Sequence, residues 1–117
     1  MLMSMLGTVL LTRVVLHKFP DLNFVVGGFN IHHLYTGAAL LIGSGLPLIL
    51  RSPGGRQRWV LTTAFGIGLA LVLDEWIYLI MTDGSDAAYL SLPSLAGAIL
   101  LTGITAVYMV ILAWRNR

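Results

Sequence analysis

Apolar residues come in four long runs along this chain, separated by short polar breaks. The first run extends from Met1 to about Leu16, and the only charge within it is Arg13. It closes at His17-Lys18-Phe19-Pro20-Asp21-Leu22-Asn23, where a proline and polar side chains interrupt helical continuity. Phe24 to Phe29 is apolar again but contains Gly27 and Gly28, and reads either as an interfacial segment or as a short re-entrant turn. Asn30 stands as an N-cap before the second run, about 31–50. A polar turn from Arg51 to Arg58 leads into the third run, about 59–81, which stops at Thr82-Asp83-Gly84-Ser85-Asp86. The fourth run, about 93–114, opens with Pro93, a residue suited to a first helical turn.

A helix rises 1.5 Å per residue, so roughly 20 apolar residues cross a bilayer core of about 30 Å. The pattern therefore predicts an all-α, polytopic membrane protein. It is a single transmembrane domain over 1–117, a bundle of about four helices with spans near 1–17, 31–50, 59–81 and 93–114. Composition agrees. Only 10% of residues are charged, against about 25% in soluble domains, too few to cover a water-facing surface. The chain has no cysteine, which removes disulfides, thiolate metal sites, cysteine nucleophiles and c-type haem attachment. The first residues have neither a basic leader region nor an A-x-A-like cleavage site, so the first run is expected to be a retained helix without lipidation.

The basic residues carry a topology signal. Arg51, Arg56 and Arg58 lie between the second and third runs, and Arg115 and Arg117 lie at the end. In a four-span chain these share one side, and the positive-inside rule makes it the cytoplasm. The expected location is the cell membrane, multi-pass, with both termini cytoplasmic; Lys18 alone falls on the opposite side. No basic stripe is long enough to follow a nucleic acid. The partners expected are the lipid bilayer and, as alternatives, further copies of the chain or a larger membrane complex. Small residues, among them Gly37, Gly66, Ala70 and Gly97, are frequent within the runs and allow helix backbones to approach closely.

Ionisable residues inside a span are costly and call for partners. They are Arg13 on the first span, His32 and His33 at the start of the second, and Asp74 and Glu75 on the third. Connectivity puts all five in the same outer third of the membrane, whichever way the protein is oriented. His17 follows Arg13 at i+4. Thr36 follows His32 at i+4, and Tyr78 follows Asp74 at i+4, so Thr36 and Tyr78 complete the expected polar pocket.

The stretches Phe29-Asn30-Ile31-His32-His33-Leu34-Tyr35-Thr36-Gly37 and Leu73-Asp74-Glu75-Trp76 resemble the shared marks of a family of small prokaryotic four-span integral membrane proteins. These marks are a His-His-x-x-x-Gly start to one span and a Leu-Asp-Glu-aromatic stretch in the next. The resemblance covers most of residues 13–100. It implies the same topology and singles out His32, His33, Gly37, Asp74 and Glu75, but implies no activity. Family members often carry an acid near the start of the last span, where this chain has Leu92-Pro93-Ser94-Leu95-Ala96.

Several readings of the pocket stand side by side. In the first, Arg13, the histidines and the acids form an ion-pair network that fixes helix register. In the second, His32, His33, Asp74 and Glu75 ligate a divalent metal, for which imidazole and carboxylate suit Zn, Fe or Mn. Adjacent helical residues point about 100° apart, so this reading takes one first ligand from each pair. In the third, the acids belong to a proton- or ion-coupled transporter component, although no acid lies in the inner half of the spans to continue a relay. Haem ligation by His17 with His32 or His33 is a weaker alternative, and a serine hydrolase weaker still. The function expected is that of an integral membrane protein with a polar His/Asp/Glu pocket in its outer leaflet for a metal or ligand. The alternative is a structural or accessory subunit of a larger complex.

Overall fold

The computed structural model describes residues 1–117. Its elements are α1 (Leu2–Lys18), a two-stranded hairpin of β1 (Val25–Val26) and β2 (Phe29–Asn30), α2 (His33–Arg51), α3 (Gly55–Met81), a short α4 (Asp86–Tyr89) and α5 (Leu92–Arg115). The chain is thus mostly helical, and α2, α3 and α5 are long and apolar enough to cross a membrane. α1, with 17 residues, is about 25 Å long.

Several boundaries differ from the sequence expectation, each for a local reason. Gly27 and Gly28 take positive φ angles of 57° and 84°, the backbone of a tight hairpin turn. The apolar stretch 24–29 is therefore a hairpin pairing Val25 with Asn30 and Val26 with Phe29. Asn30 lies in that hairpin and does not cap α2. The N-cap is His32, whose side chain makes no capping bond. The turn after α2 is only Ser52 to Gly54, so Arg56 and Arg58 sit on the first turn of α3. At 27 residues, α3 is about 40 Å long, which leaves a polar first turn beyond its apolar stretch. Pro93 does lie in the first turn of α5.

The helices do not close into a ring. α3 is the hub: α1, α2 and α5 all pack on it, α1 also touches α5, and α2 touches no other long helix. Small residues set the close approaches. A Cβ on Gly37 would lie 2.7 Å from the Gly68 carbonyl oxygen, and one on Gly68 would lie 2.8 Å from that of Gly37. α2 and α3 therefore cross backbone to backbone at this pair. Gly66 faces Met1, which precedes α1, and Ser4 of α1, and Gly97 of α5 faces Ile77 of α3. Little is buried beyond these seams. Met5, Ala70 and Leu73 form a small core between α1 and α3. Large apolar side chains such as Leu10, Ile42, Ile49, Ile80, Ile99 and Ile104 are exposed, a surface far more apolar than monomeric soluble proteins present.

Candidate functional site, a polar cluster at one end of the helices

Four helices bring polar side chains to one end of the molecule. These are the last turns of α1 and α3 and the first turns of α2 and α5, with α4 between α3 and α5. Asp74 and Glu75 are both buried on α3. Being adjacent on a helix they point about 100° apart, and because α3 is the hub each meets different neighbours.

Asp74 turns toward α1, α4 and α5. Arg13 Nε donates to its Oδ1 at 2.5 Å, and Arg13 Nη2 donates to its backbone carbonyl at 3.0 Å. The same guanidinium donates through Nη1 to the Tyr89 carbonyl at 3.0 Å and through Nη2 to Ser94 Oγ at 3.1 Å. It also lies over the Tyr89 ring, 4.1 Å from the centroid, where the ring quadrupole attracts a cation. The Tyr89 hydroxyl donates to Asp74 Oδ2. Burial, and then the Asp74 charge, push the Tyr89 phenol far above its ordinary value, so it remains a donor. One arginine thus ties α1 to α3, α4 and α5, through a fork of donors that a lysine lacks.

Glu75 turns toward the start of α2. Its Oε2 accepts the Leu34 backbone N–H at 2.8 Å. That N–H is one of the amides an α-helix leaves unpaired in its first turn, so a carboxylate from α3 caps α2 in place of a local side chain. The charge also complements the positive end of the helix dipole. His32 Nδ1 lies 3.2 Å from Glu75 Oε1. His33 joins the two halves: its Nε2 is 2.9 Å from Asp74 Oδ2 and its Nδ1 is 3.4 Å from Glu75 Oε1. Both ring nitrogens of His33 therefore face carboxylates.

Of the residues expected from the sequence, the structure brings together Arg13, His32, His33, Asp74, Glu75 and Tyr78. Tyr78 is buried, donates to the Ser85 carbonyl at 3.0 Å and stacks edge-on against Tyr89. Thr36 stays outside. It is exposed and donates to the His33 carbonyl. The i+4 relation to His32 does not hold because His32 precedes the helix with extended backbone, ψ 144°. The same extended residue lets two adjacent histidines both reach Glu75. Sequence reasoning missed Tyr89 and Ser94, both buried and both partners of the Arg13–Asp74 pair.

The metal reading finds no support in this geometry. His32, His33, Asp74 and Glu75 meet, yet no group of three or more such side chains is arranged to hold an ion. Their oxygens are turned to other donors: those of Asp74 to Arg13, His33 and Tyr89, those of Glu75 to His32 and the Leu34 amide. His17, the proposed haem partner, is exposed and lines a separate groove with Arg13, Lys18 and Leu90.

The two halves of the cluster differ in access. The Asp74 carboxyl is sealed, whereas His32, His33, Glu75 and Tyr78 line a cavity of about 110 Å³. Asn23, Asn30 and Asp86 stand at this cavity too. Asn23 donates to Asp86 Oδ2 at 3.0 Å and Asn30 donates to Asn23 Oδ1 at 3.3 Å, which clips the hairpin loop to α4. No family model matches the chain, and neither a curated protein nor a solved structure matches it.

Proposed function

We propose that this chain is an integral membrane protein whose helices α1, α2, α3 and α5 cross the bilayer with both termini on the cytoplasmic side. In this reading its outer end carries a pocket that binds a small polar ligand over His32, His33 and Glu75. Support for the membrane comes from the three long apolar helices and their exposed Leu, Ile and Val side chains. Support for the orientation is the Arg51, Arg56, Arg58, Arg115 and Arg117 set at the end opposite the cluster.

The observation that carries the binding reading is the asymmetry of the cluster. Both acids are engaged by neighbouring donors, but the Asp74 side is closed off from any space. The Glu75 side opens instead on a cavity with room for a few water-sized groups, bordered by imidazole, carboxylate, amide and phenol. The closed Asp74 side favours a second role for the same residues, a latch that holds four helices in register, as a structural subunit requires.

Native mass spectrometry of protein extracted in a mild detergent tests the binding reading. A small molecule should be retained by the wild type and by Asp83→Asn, and lost from Glu75→Gln. A wild-type protein that carries nothing, and whose unfolding no small amine, alcohol or carboxylate shifts, would overturn it.

A further inference from the structure

A second space adjoins the polar cavity. α1 and α2 both pack on α3 but do not touch each other, and the loop from Phe19 to His32 crosses the gap between them. Beneath this loop runs a groove of about 440 Å³, walled by Leu11, Val15 and Leu16 of α1 and by Leu22 and Phe24 of the loop. Its polar lining residues are Thr12 of α1, Asn23 of the loop and His33 of α2. Leu16, Leu22, Asn23, Phe24 and His33 line both spaces, so groove and cavity meet at His33. Together they fall within the roughly 300–1,000 Å³ of ligand pockets. A chamber whose lining mixes polar groups with apolar side chains, continuing into an open and mainly apolar trough, suits an amphiphile. The trough opens beside Leu11, which is 64% exposed, on the flank that the membrane reading gives to lipid.

The lining also selects the headgroup. Glu75 and Asp86 are the acids of the chamber, and no lysine or arginine lines either space. His32 and His33 also line the chamber but are turned to Glu75 and Asp74. An incoming phosphate or carboxylate would therefore meet the carboxylates of Glu75 and Asp86, while a protonated amine would meet those carboxylates, amide acceptors and the rings of Tyr78 and Tyr89. We infer that the ligand is an amphiphile with a protonated-amine headgroup and a single apolar chain, the headgroup held between Glu75 and Asp86 and the chain lying along α1 beneath Phe24. This rests on the pocket being a binding site and adds the class of molecule it takes.

The test uses the full chain in phosphatidylcholine nanodiscs and, as probe, dodecylamine with a photoreactive diazirine at mid-chain. Crosslinks mapped by mass spectrometry should concentrate on Leu11, Val15, Leu22 and Phe24, with excess dodecylamine competing and dodecanoic acid not. Val15→Trp should lower this labelling roughly tenfold while leaving the thermal shift caused by butylamine intact. Asp86→Asn, at the exposed mouth and away from the Arg13–Asp74 pair, should weaken competition by both amines roughly tenfold. Crosslinks spread equally over the exposed faces of α5, at Leu100, Ile104 and Val107, would overturn the inference. So would equal competition by dodecanoic acid. Butylamine competing as well as dodecylamine would remove the apolar chain and leave the pocket standing. No competition and no thermal shift from any amine would remove pocket and amphiphile together.

Discussion

Replacing Arg13 by methionine keeps most of the stem and removes the guanidinium. In the wild type every nitrogen of that group is used: Nε on Asp74 Oδ1, Nη1 on the Tyr89 carbonyl, Nη2 on the Asp74 carbonyl and Ser94 Oγ. The side chain is 13% exposed and that of Asp74 is 0% exposed, so water cannot replace the lost donors. Breaking a buried ion pair from one side costs about 3–5 kcal/mol, chiefly because the other charge is stranded. Arg13→Met is expected to destabilise by that amount. Arg13→Lys, which keeps the charge but lacks the planar fork, should lose about 1.5–3 kcal/mol. The decisive variant is Arg13→Met with Asp74→Asn, which removes both charges together and should cost less than the sum of the single changes by about 2 kcal/mol. Unfolding in mixed micelles by increasing denaturing detergent, followed by tryptophan fluorescence, measures the wild type, the two Arg13 variants, Asp74→Asn and the double variant. Additivity within about 0.5 kcal/mol would refute the coupling and with it the latch.

Three further outcomes follow from other parts of the molecule. Gly37→Ala should destabilise by about 1–3 kcal/mol through overpacking, since its Cβ would meet the Gly68 oxygen at 2.7 Å, whereas Gly43→Ala has nothing within 4 Å and should be harmless; equal effects would contradict the crossing. Tyr89→Phe should cost about 1–3 kcal/mol by depriving Asp74 of a donor. The wild-type phenol is raised by burial and then by the Asp74 charge, so its contribution is complete below the ordinary phenol value near 10 and lost as pH climbs above it. An ultraviolet titration in which Tyr89→Phe removes a tyrosine ionising near 10 would contradict this. For topology, a cysteine at Ala87 should react with an impermeant maleimide in intact cells and one at Gln57 should not; the opposite pattern would invert the orientation.

The polar cluster was legible in the sequence because depth follows from connectivity alone. Arg13 near the end of one run, His32 and His33 at the start of the next, and Asp74 and Glu75 near the end of the third must share one end of any up-and-down arrangement. Which face each residue takes was not legible. Gly66 and Gly68 differ by two positions and so point to opposite sides of α3; one receives α1 and the other α2. That choice depends on how the helices surround α3, which no residue spacing records. Thr36 failed for a related reason, since the helical period was applied to His32, a residue outside the helix. Tyr89 and Ser94 lay in a segment read as a connection and a plain helix start. A signal for Tyr89 existed, because Ser85 caps α4 by accepting the Ala88 N–H and so fixes a turn that carries Tyr89 back over Asp74. Gly27-Gly28 between Val25-Val26 and Phe29-Asn30 was likewise a hairpin signal.

The order of the two acids fits the work each does. Asp74 faces α1, α4 and α5, where its carboxyl is fully enclosed, so the shorter side chain suits the sealed side. Glu75 has to reach off α3 to the amide of Leu34 at the start of α2, and its extra methylene supplies that reach. α2 touches no other long helix, so its hold on α3 consists of the Gly37–Gly68 crossing, the Glu75 cap and the two histidines. Anything that draws Glu75 toward the cavity competes with the cap of α2. Because His33 faces both carboxylates, a change at Glu75 alters the partners of Asp74 as well. Through His33 the enclosed Asp74 side and the Glu75 side are joined, so the hold of α3 on the start of α2 depends on both carboxylates together.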